Sequence, residues 1–319
     1  MLVDGQWQDD WQMKQRTDAE GRFMRQESTF RHWVTPDGAP GPTGEGGFKA
    51  EPGRYHLYIA LNCPWACRAY IYRKLKRLEN VISVSIAIPE FTDQGYGFGY
   101  YPGSIPDPLH QVRYVSELYT RADPHFTGRP TVPVLWDKIR DTLVNNESAD
   151  IIRMFNSAFD AYGDASVDFY PEDLRAEIDT LNERIYESLN NGVYRAGFAM
   201  SQAVYEEAVV EVLECLDELE ERLEGRPYLL GDRITETDWR AFVTLIRFDI
   251  AYHALFKCNL RRLIDYPKLS TYLKRLHAVP GVAETVNFDH IKRTYYTIRR
   301  VNPTQIIPKG PDRIFIDLN

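Results

Sequence analysis

Apolar residues along the first half of this chain gather in short runs of strand length. Beyond about residue 165 they recur instead with a helical period of about 3.6. RYHLYIA (54–60) reads as a buried strand, and VISVSIAI (81–88), rich in β-branched residues, as a second. Between them Cys67, Ile71, Leu75 and Leu78 fall at i+4 and i+3 spacing, which predicts a helix with one apolar stripe. Pro64 opens that helix at the position where a missing N–H costs nothing. TVPVLWD (131–137) predicts a strand with Pro133 inside it, a residue that cannot serve a central ladder, and IRDTLV predicts its hairpin partner. LHQVRYVSELYTRA and SADIIRMFNSAF (148–159) read as helices, the second capped by Ser148 or a neighbour. The Gly- and Tyr-rich insertion FTDQGYGFGYYPGSIPDP, after VISVSIAI and before the first of these helices, carries no period.

In the second half, PEDLRAEIDTLNERIYESLN reads as one helix. QAVYEEAVVEVLECLDELEERL is another, with Val204, Ala208, Val212, Leu216, Leu219 and Leu223 on its inner face. Thr235 and Asp238 have the spacing of a capping pair, and the helix after them is apolar nearly all round, which marks it as central and buried. DYPKLSTYLKRLHAV and PGVAETV supply further helices. The order strand–helix–strand, helix, strand–strand–helix is a thioredoxin-like arrangement. The fold class is therefore α/β plus all-α, a thioredoxin-like domain followed by a helical one. The expected boundaries are an extended arm at 1–50, the first domain at 51–160, the helical domain at 165–300 and an extended tail at 301–319. The arm is rich in Gly and Pro and is expected to drape over the fold without forming a core.

Composition narrows the function classes. With 319 residues, 44% hydrophobic and 26% charged, the chain is ordinary for a globular protein of about two domains. A net charge of −8 argues against nucleic acid as a partner. No apolar run approaches the roughly 18 residues of a membrane span, and the N-terminal stretch has no signal-like apolar region. Four cysteines (63, 67, 215 and 258) make no disulfide framework, so a cytoplasmic protein with reduced thiols is expected.

Cys63 stands where a strand turns into a helix. Unpaired amides and partial positive charge at a helix N-terminus stabilise a thiolate and can bring a cysteine's pKa to roughly 3.5–7.5. A buried packing role is the competing explanation for any free cysteine. It is the preferred one for Cys67, which shares the stripe with Ile71 and Leu75, and for Cys215 and Cys258 within helices. The C-x₃-C spacing lacks a second ligand pair, so no metal site is expected. Arg68 and Lys74 lie on the same helix as Cys63 and are expected to point elsewhere.

NCPWACR, TVPVLWDK, NNESADIIRMFN, NGVYRAGFA, FKCN and VNPTQIIPKGP occur in this order, and the match runs from about residue 30 to 312. Together they resemble the glutathionyl-hydroquinone reductases, the omega-like or Xi class of glutathione transferases. GRPYLLGDRITETDW is similar to a segment common to glutathione transferases generally. The resemblance implies glutathione as co-substrate, no metal, a homodimer, and glutathionyl-hydroquinones (aromatic quinol thioethers) as substrates.

It also implies a site. Cys63 is the nucleophile, and Val132, before a cis Pro133, offers its backbone to the glutathione cysteine. Ser148 with nearby N–H groups holds the γ-glutamyl carboxylate, as suits a helix N-terminus. Glu147 pairs the α-ammonium, and Arg129 contacts glutathione. Tyr194, Tyr252 and Tyr296 line the hydroquinone pocket, with flat faces for a ring and hydroxyls for its oxygens. Three positions depart from the family pattern. Cys67 replaces the histidine of CPWAHR, Tyr96 stands where a tryptophan against glutathione is usual, and Thr294 stands where histidine is frequent. The implied reaction is two thiol exchanges through a Cys63–glutathione mixed disulfide. The alternatives are a conjugating transferase, a general thiol transferase or dehydroascorbate reductase, and a non-catalytic module keeping the fold for protein contacts.

Overall fold

The computed structural model describes residues 1–9 and 17–316, so residues 10–16 of the arm and 317–319 of the tail lie outside the described residues. The chain forms two compact units. One is built chiefly from Gln26–Asp168 with Glu284–His290, the other from Phe169–Ala283 with the chain from Ile291 onward and residues 17–25.

In the first unit a short hairpin, β1 (Leu2–Val3) and β2 (Gln6–Trp7), precedes a four-stranded mixed sheet. Its strands are β3 (Tyr55–Ile59), β4 (Ser83–Ile86), β5 (Val134–Asp137) and β6 (Thr142–Asn145), in the order β4-β3-β5-β6. β3 runs parallel to β4, with Leu57 opposite Val84, and antiparallel to β5, with Leu57 opposite Leu135. The parallel pair needs a crossover, which α1 (Pro64–Leu75) supplies. α2 (Val115–Ala122) and α3 (Ser148–Ser157) complete the thioredoxin-like arrangement. Every residue of β3 is buried, and Ile71, Trp136, Ile151 and Phe155 are fully enclosed around it. Arg54, beside β3, anchors the strand ends with a two-pronged contact to the buried carboxylate of Asp137, Nε to Oδ1 at 3.0 Å and Nη2 to Oδ2 at 2.5 Å.

Two expectations change here, and a third, a cap at Ser148 or a neighbour, is narrowed to the neighbour. The strand at 131–137 begins only at Val134, because Pro133 has no N–H to give the ladder. The cap of α3 is Glu147, whose carboxylate accepts the Ala149 N–H. The arm does enter a core: Val34, Phe48 and Ala50 are buried, and residues 30–32 run along the edge of β6. There His32 N–H donates to the Val144 carbonyl and Asn146 N–H to that of Phe30, both near 3.0 Å. A segment tied down by edge hydrogen bonds at isolated points needs no alternation, so its pattern looked like loop.

The second unit is helical. α4 (Arg175–Ile185) continues into a π-turn, Tyr186–Asn190, and then α5 (Gly192–Gly197), so the single helix expected there is interrupted. α6 (Gln202–Arg222) buries all six residues of its expected inner face. α7 (Glu236–Leu245) carries the capping pair, with Thr235 N–H donating to Asp238 Oδ2 at 2.7 Å, and it is enclosed almost completely. A second π-turn, Phe248–Tyr252, follows. α8 (Pro267–His277) and α9 (Phe288–Tyr296) are the remaining helices longer than one turn among the described residues. No helix among those residues is long and apolar enough to cross a membrane.

Candidate active site

Cys63 is the N-cap of α1, in an extended conformation, with Pro64 as the first helical residue. The residue is 6% exposed, and Sγ donates to the Val132 carbonyl at 3.5 Å. The helix start and the loop before β5 therefore meet at the sulfur. Val132–Pro133 is a cis peptide. Tyr119, buried on α2, holds this loop from behind. Its hydroxyl donates to the Thr131 carbonyl at 3.0 Å, and Asn146 Nδ2 donates to the same hydroxyl at 3.0 Å. One phenol thus ties the approach to Val132 to the approach to Glu147. Sequence reasoning missed it, because nothing separates this tyrosine from the other nineteen until its partners are seen.

At the start of α3, Glu147 Oε1 accepts the Ala149 N–H at 2.9 Å and Oε2 accepts the Ser28 hydroxyl at 3.0 Å. Burial works to raise this carboxyl, but the Arg68 guanidinium, the Ala149 amide, Ser28 and Arg31 outweigh it and hold Glu147 below the ordinary carboxylate range. Arg68 does not point elsewhere, as expected from its place on α1. It is 2% exposed, and its Nε and Nη2 donate to Ser148 Oγ at 3.0 and 2.7 Å, with Nη2 3.5 Å from Glu147 Oε1. Lys74 does turn away, pairing with Glu79 and Glu284.

Cys67 packs, buried, with its sulfur 3.7 Å from the Thr285 carbonyl. Tyr96 is tethered beside Cys63, its hydroxyl accepting from Asn62 Nδ2 at 3.2 Å and its ring 4.7 Å from that of Phe91. The Arg129 N–H donates to Gln26 Oε1 at 3.0 Å, so this arginine is fixed through its backbone to the arm.

Within the second unit a cluster of phenols has formed. Tyr194 follows the first π-turn and Tyr252 closes the second, where the extra residue re-aims the side chains. The Tyr295 hydroxyl joins both of theirs, at 2.7 Å from Tyr194 and 2.9 Å from Tyr252. Tyr296 is not part of this group. Its hydroxyl donates to the Ile250 carbonyl at 3.3 Å. Adjacent residues on a helix point about 100° apart, so the motif fixed the turn of α9 but not which of its two tyrosines joins the cluster. Phe256 packs edge-on or stacked against Tyr194, Tyr252 and Tyr295, with centroids 5.5–5.7 Å away. Gly197 makes room for it: a Cβ there would come within 2.3 Å of the Phe256 ring. Burial pushes the Tyr252 and Tyr295 hydroxyls well above the ordinary phenol range, with Tyr194 adding to it and buried Arg247 opposing. They remain protonated donors at neutral pH.

The glutathione S-transferase N-terminal domain profile matches residues 62–158, and the C-terminal domain profile matches 202–275. Glutathionyl-hydroquinone reductase YqjG of Escherichia coli is 52% identical over 312 residues, spanning 97% of this chain and 94% of the relative. The chain belongs to the Xi-class glutathione S-transferases, the glutathionyl-hydroquinone reductases. Another relative, glutathionyl-hydroquinone reductase PcpF of Sphingobium chlorophenolicum, is 48% identical, spanning 98% of this chain and 96% of its own. Among solved structures, glutathione-bound YqjG superposes with a TM-score of 0.90 at 49% identity, covering 98% of this chain and 96% of that one. The Xi transferase of Phanerochaete chrysosporium gives 0.88 at 45%, covering 92% and 100%.

Proposed function

We propose that this Xi-class transferase is a glutathione-dependent enzyme that reduces glutathionyl-hydroquinones to hydroquinones. The observation that carries the reading is Cys63 as N-cap of α1 with its sulfur on the Val132 carbonyl, in a chain about half identical over its full length to a named glutathionyl-hydroquinone reductase. The Cys63 thiolate attacks the sulfur of the thioether. The carbon–sulfur bond breaks, the ring carbon takes a proton, and a Cys63–glutathione disulfide remains. A second glutathione attacks that disulfide, regenerating Cys63 and leaving as glutathione disulfide. The aryl carbon is reduced by two electrons, and two glutathione sulfurs are oxidised to one disulfide.

In this reading the Val132 backbone takes the cysteinyl part of glutathione. A ligand N–H on the Val132 carbonyl competes with the Cys63 thiol for the same acceptor, so occupancy releases the sulfur for attack. Ser148 receives the γ-glutamyl carboxylate and Glu147 the ammonium, while Arg129 and Tyr96 flank the peptide. The phenols of the second unit are assigned to the aromatic ring and its oxygens. Tyr295 takes the place that the family motif gave to Tyr296, because its hydroxyl joins Tyr194 and Tyr252. A homodimer in the cytoplasm completes the reading.

The test is turnover of a glutathionyl-hydroquinone with glutathione. One hydroquinone and one glutathione disulfide are expected per thioether consumed, and Cys63→Ser is expected to lose at least about a thousandfold in rate. Formation of a thioether from glutathione and an electrophile, undiminished or enhanced in Cys63→Ser, would favour a conjugating transferase instead.

A further inference from the structure

Arg68 is a buried cation that the two thiol exchanges do not use. A serine hydroxyl has two lone pairs and one proton. At Ser148 the guanidinium donates twice to Oγ, from Nε at 3.0 Å and from Nη2 at 2.7 Å, so both lone pairs are taken. What remains to Ser148 is its proton, and a ligand there meets a donor. Glu147, 3.5 Å from the same guanidinium, is held ionised and faces its surroundings as an acceptor. One buried side chain thus fixes opposite polarities on two consecutive residues at the start of α3. A carboxylate suits the first and an ammonium suits the second. The arrangement is rigid as well as polar, since Arg68 is 2% exposed and its guanidinium lies 5.0 Å over the Trp65 ring.

We propose that Arg68 is a positioning residue for the amino-acid end of glutathione: it commits Ser148 to donating and keeps Glu147 charged, so that only a ligand bearing both a carboxylate and an ammonium is fully satisfied. This rests on the glutathione assignment above. Arg68 acts through Ser148 and Glu147 and touches neither the reacting sulfur nor the ring. Its effect belongs to glutathione binding, which separates it from a general structural support.

The experiment measures binding of S-methylglutathione, which cannot form a disulfide, to wild type, Arg68→Gln, Ser148→Ala and the double variant. KM and kcat for glutathione are measured in parallel. Arg68→Gln is expected to weaken binding about 10- to 100-fold and to raise KM by a similar factor with kcat within about threefold of wild type. In the Ser148→Ala background the same change is expected to cost much less than it does alone, because part of its route is already gone. If Arg68→Gln does not fold, Arg68→Lys carries the test: it keeps the charge but not the two-pronged donation, and it is expected to bind S-methylglutathione more weakly than wild type. Unchanged binding in the variant that folds, or full additivity with Ser148→Ala, overturns the proposal. N-acetylglutathione, which lacks the ammonium, should lose its disadvantage relative to glutathione in Arg68→Gln, and a retained disadvantage also counts against it. Wild-type protein that binds S-methylglutathione but turns over no glutathionyl-hydroquinone would instead remove the reaction and leave the role of Arg68 standing.

Discussion

Around Cys63 and the start of α3, the first unit works with charges, backbone amides and a thiol, each held by short contacts to named partners. In the second unit, the group centred on Tyr252 is neutral and aromatic, and its hydroxyls mainly serve each other. The first kind of site discriminates strictly, because a ligand lacking one charge leaves a buried group unsatisfied. The second kind tolerates variation, since ring faces accept many aromatic shapes at similar cost. An enzyme that brings a peptide co-substrate together with an aromatic substrate has use for both. The contrast predicts that substitutions in the polar set act mainly on the glutathione KM, whereas those in the phenol set act mainly on turnover of the aromatic substrate.

The largest expected effect that would break this division is at Glu147. Glu147→Gln keeps the shape of the cap but removes the charge proposed for the ammonium. A rise of about 10- to 100-fold in the glutathione KM is expected in steady-state kinetics, with hydroquinone specificity unchanged. A change in quinol preference would show the two regions to be less separate than argued.

A smaller effect sharpens the aromatic half. Tyr295→Phe removes the hydroxyl that bridges Tyr194 and Tyr252, and a fall in kcat of about tenfold is expected. Tyr296→Phe removes only a bond to the Ile250 carbonyl and should stay within about twofold of wild type. Equal losses in both would contradict the assignment.

The smallest effect lies outside the chemistry, in the frame that holds Cys63. His56 on β3 is fully buried, with Nε2 2.9 Å from Ser85 Oγ and Nδ1 2.7 Å from Ser83 Oγ. Ser85 gives its proton to the Pro106 carbonyl, so Nε2 donates to Ser85 and the neutral ring accepts at Nδ1. Burial lowers this imidazole from the ordinary 6.5 to about 4. The unfolded chain therefore takes up the proton first on acidification. The contribution to stability is complete above about pH 6.5 and is lost as pH falls toward 4, reaching about 3 kcal/mol at most. Thermal melts between pH 7 and 4.5 should show this loss, and His56→Gln should flatten it.

Much of the first unit could be read from residues alone, because its signals are local. An apolar run, then Cys63-Pro64, then a stripe at helical spacing locates the strand, the turn and the cap within a few positions. Thr235 and Asp238 marked the start of α7 for the same reason, a cap being a contact between near neighbours. What was not legible depends on partners far along the chain. Arg68 looked like an ordinary helix cation because Ser148 lies 80 positions away. Tyr295 and Tyr296 are indistinguishable until the rotation of α9 is known, and the edge pairing of residues 30–32 leaves no period to find. The π-turns that precede Tyr194 and end at Tyr252 have no sequence signature of their own, yet they redirect the side chains on which the aromatic half depends.

The central claim is that Cys63 carries the glutathionyl group between two exchanges. Mass spectrometry of the protein quenched during turnover of a glutathionyl-hydroquinone tests it directly. A single glutathione adduct is expected, mapped to the peptide containing Cys63 and released by added glutathione. Cys215 and Cys258 should stay unmodified, since burial pushes both thiols up to about 12. Hydroquinone release with no adduct at Cys63, or an adduct on another cysteine that turns over at the catalytic rate, would contradict the account.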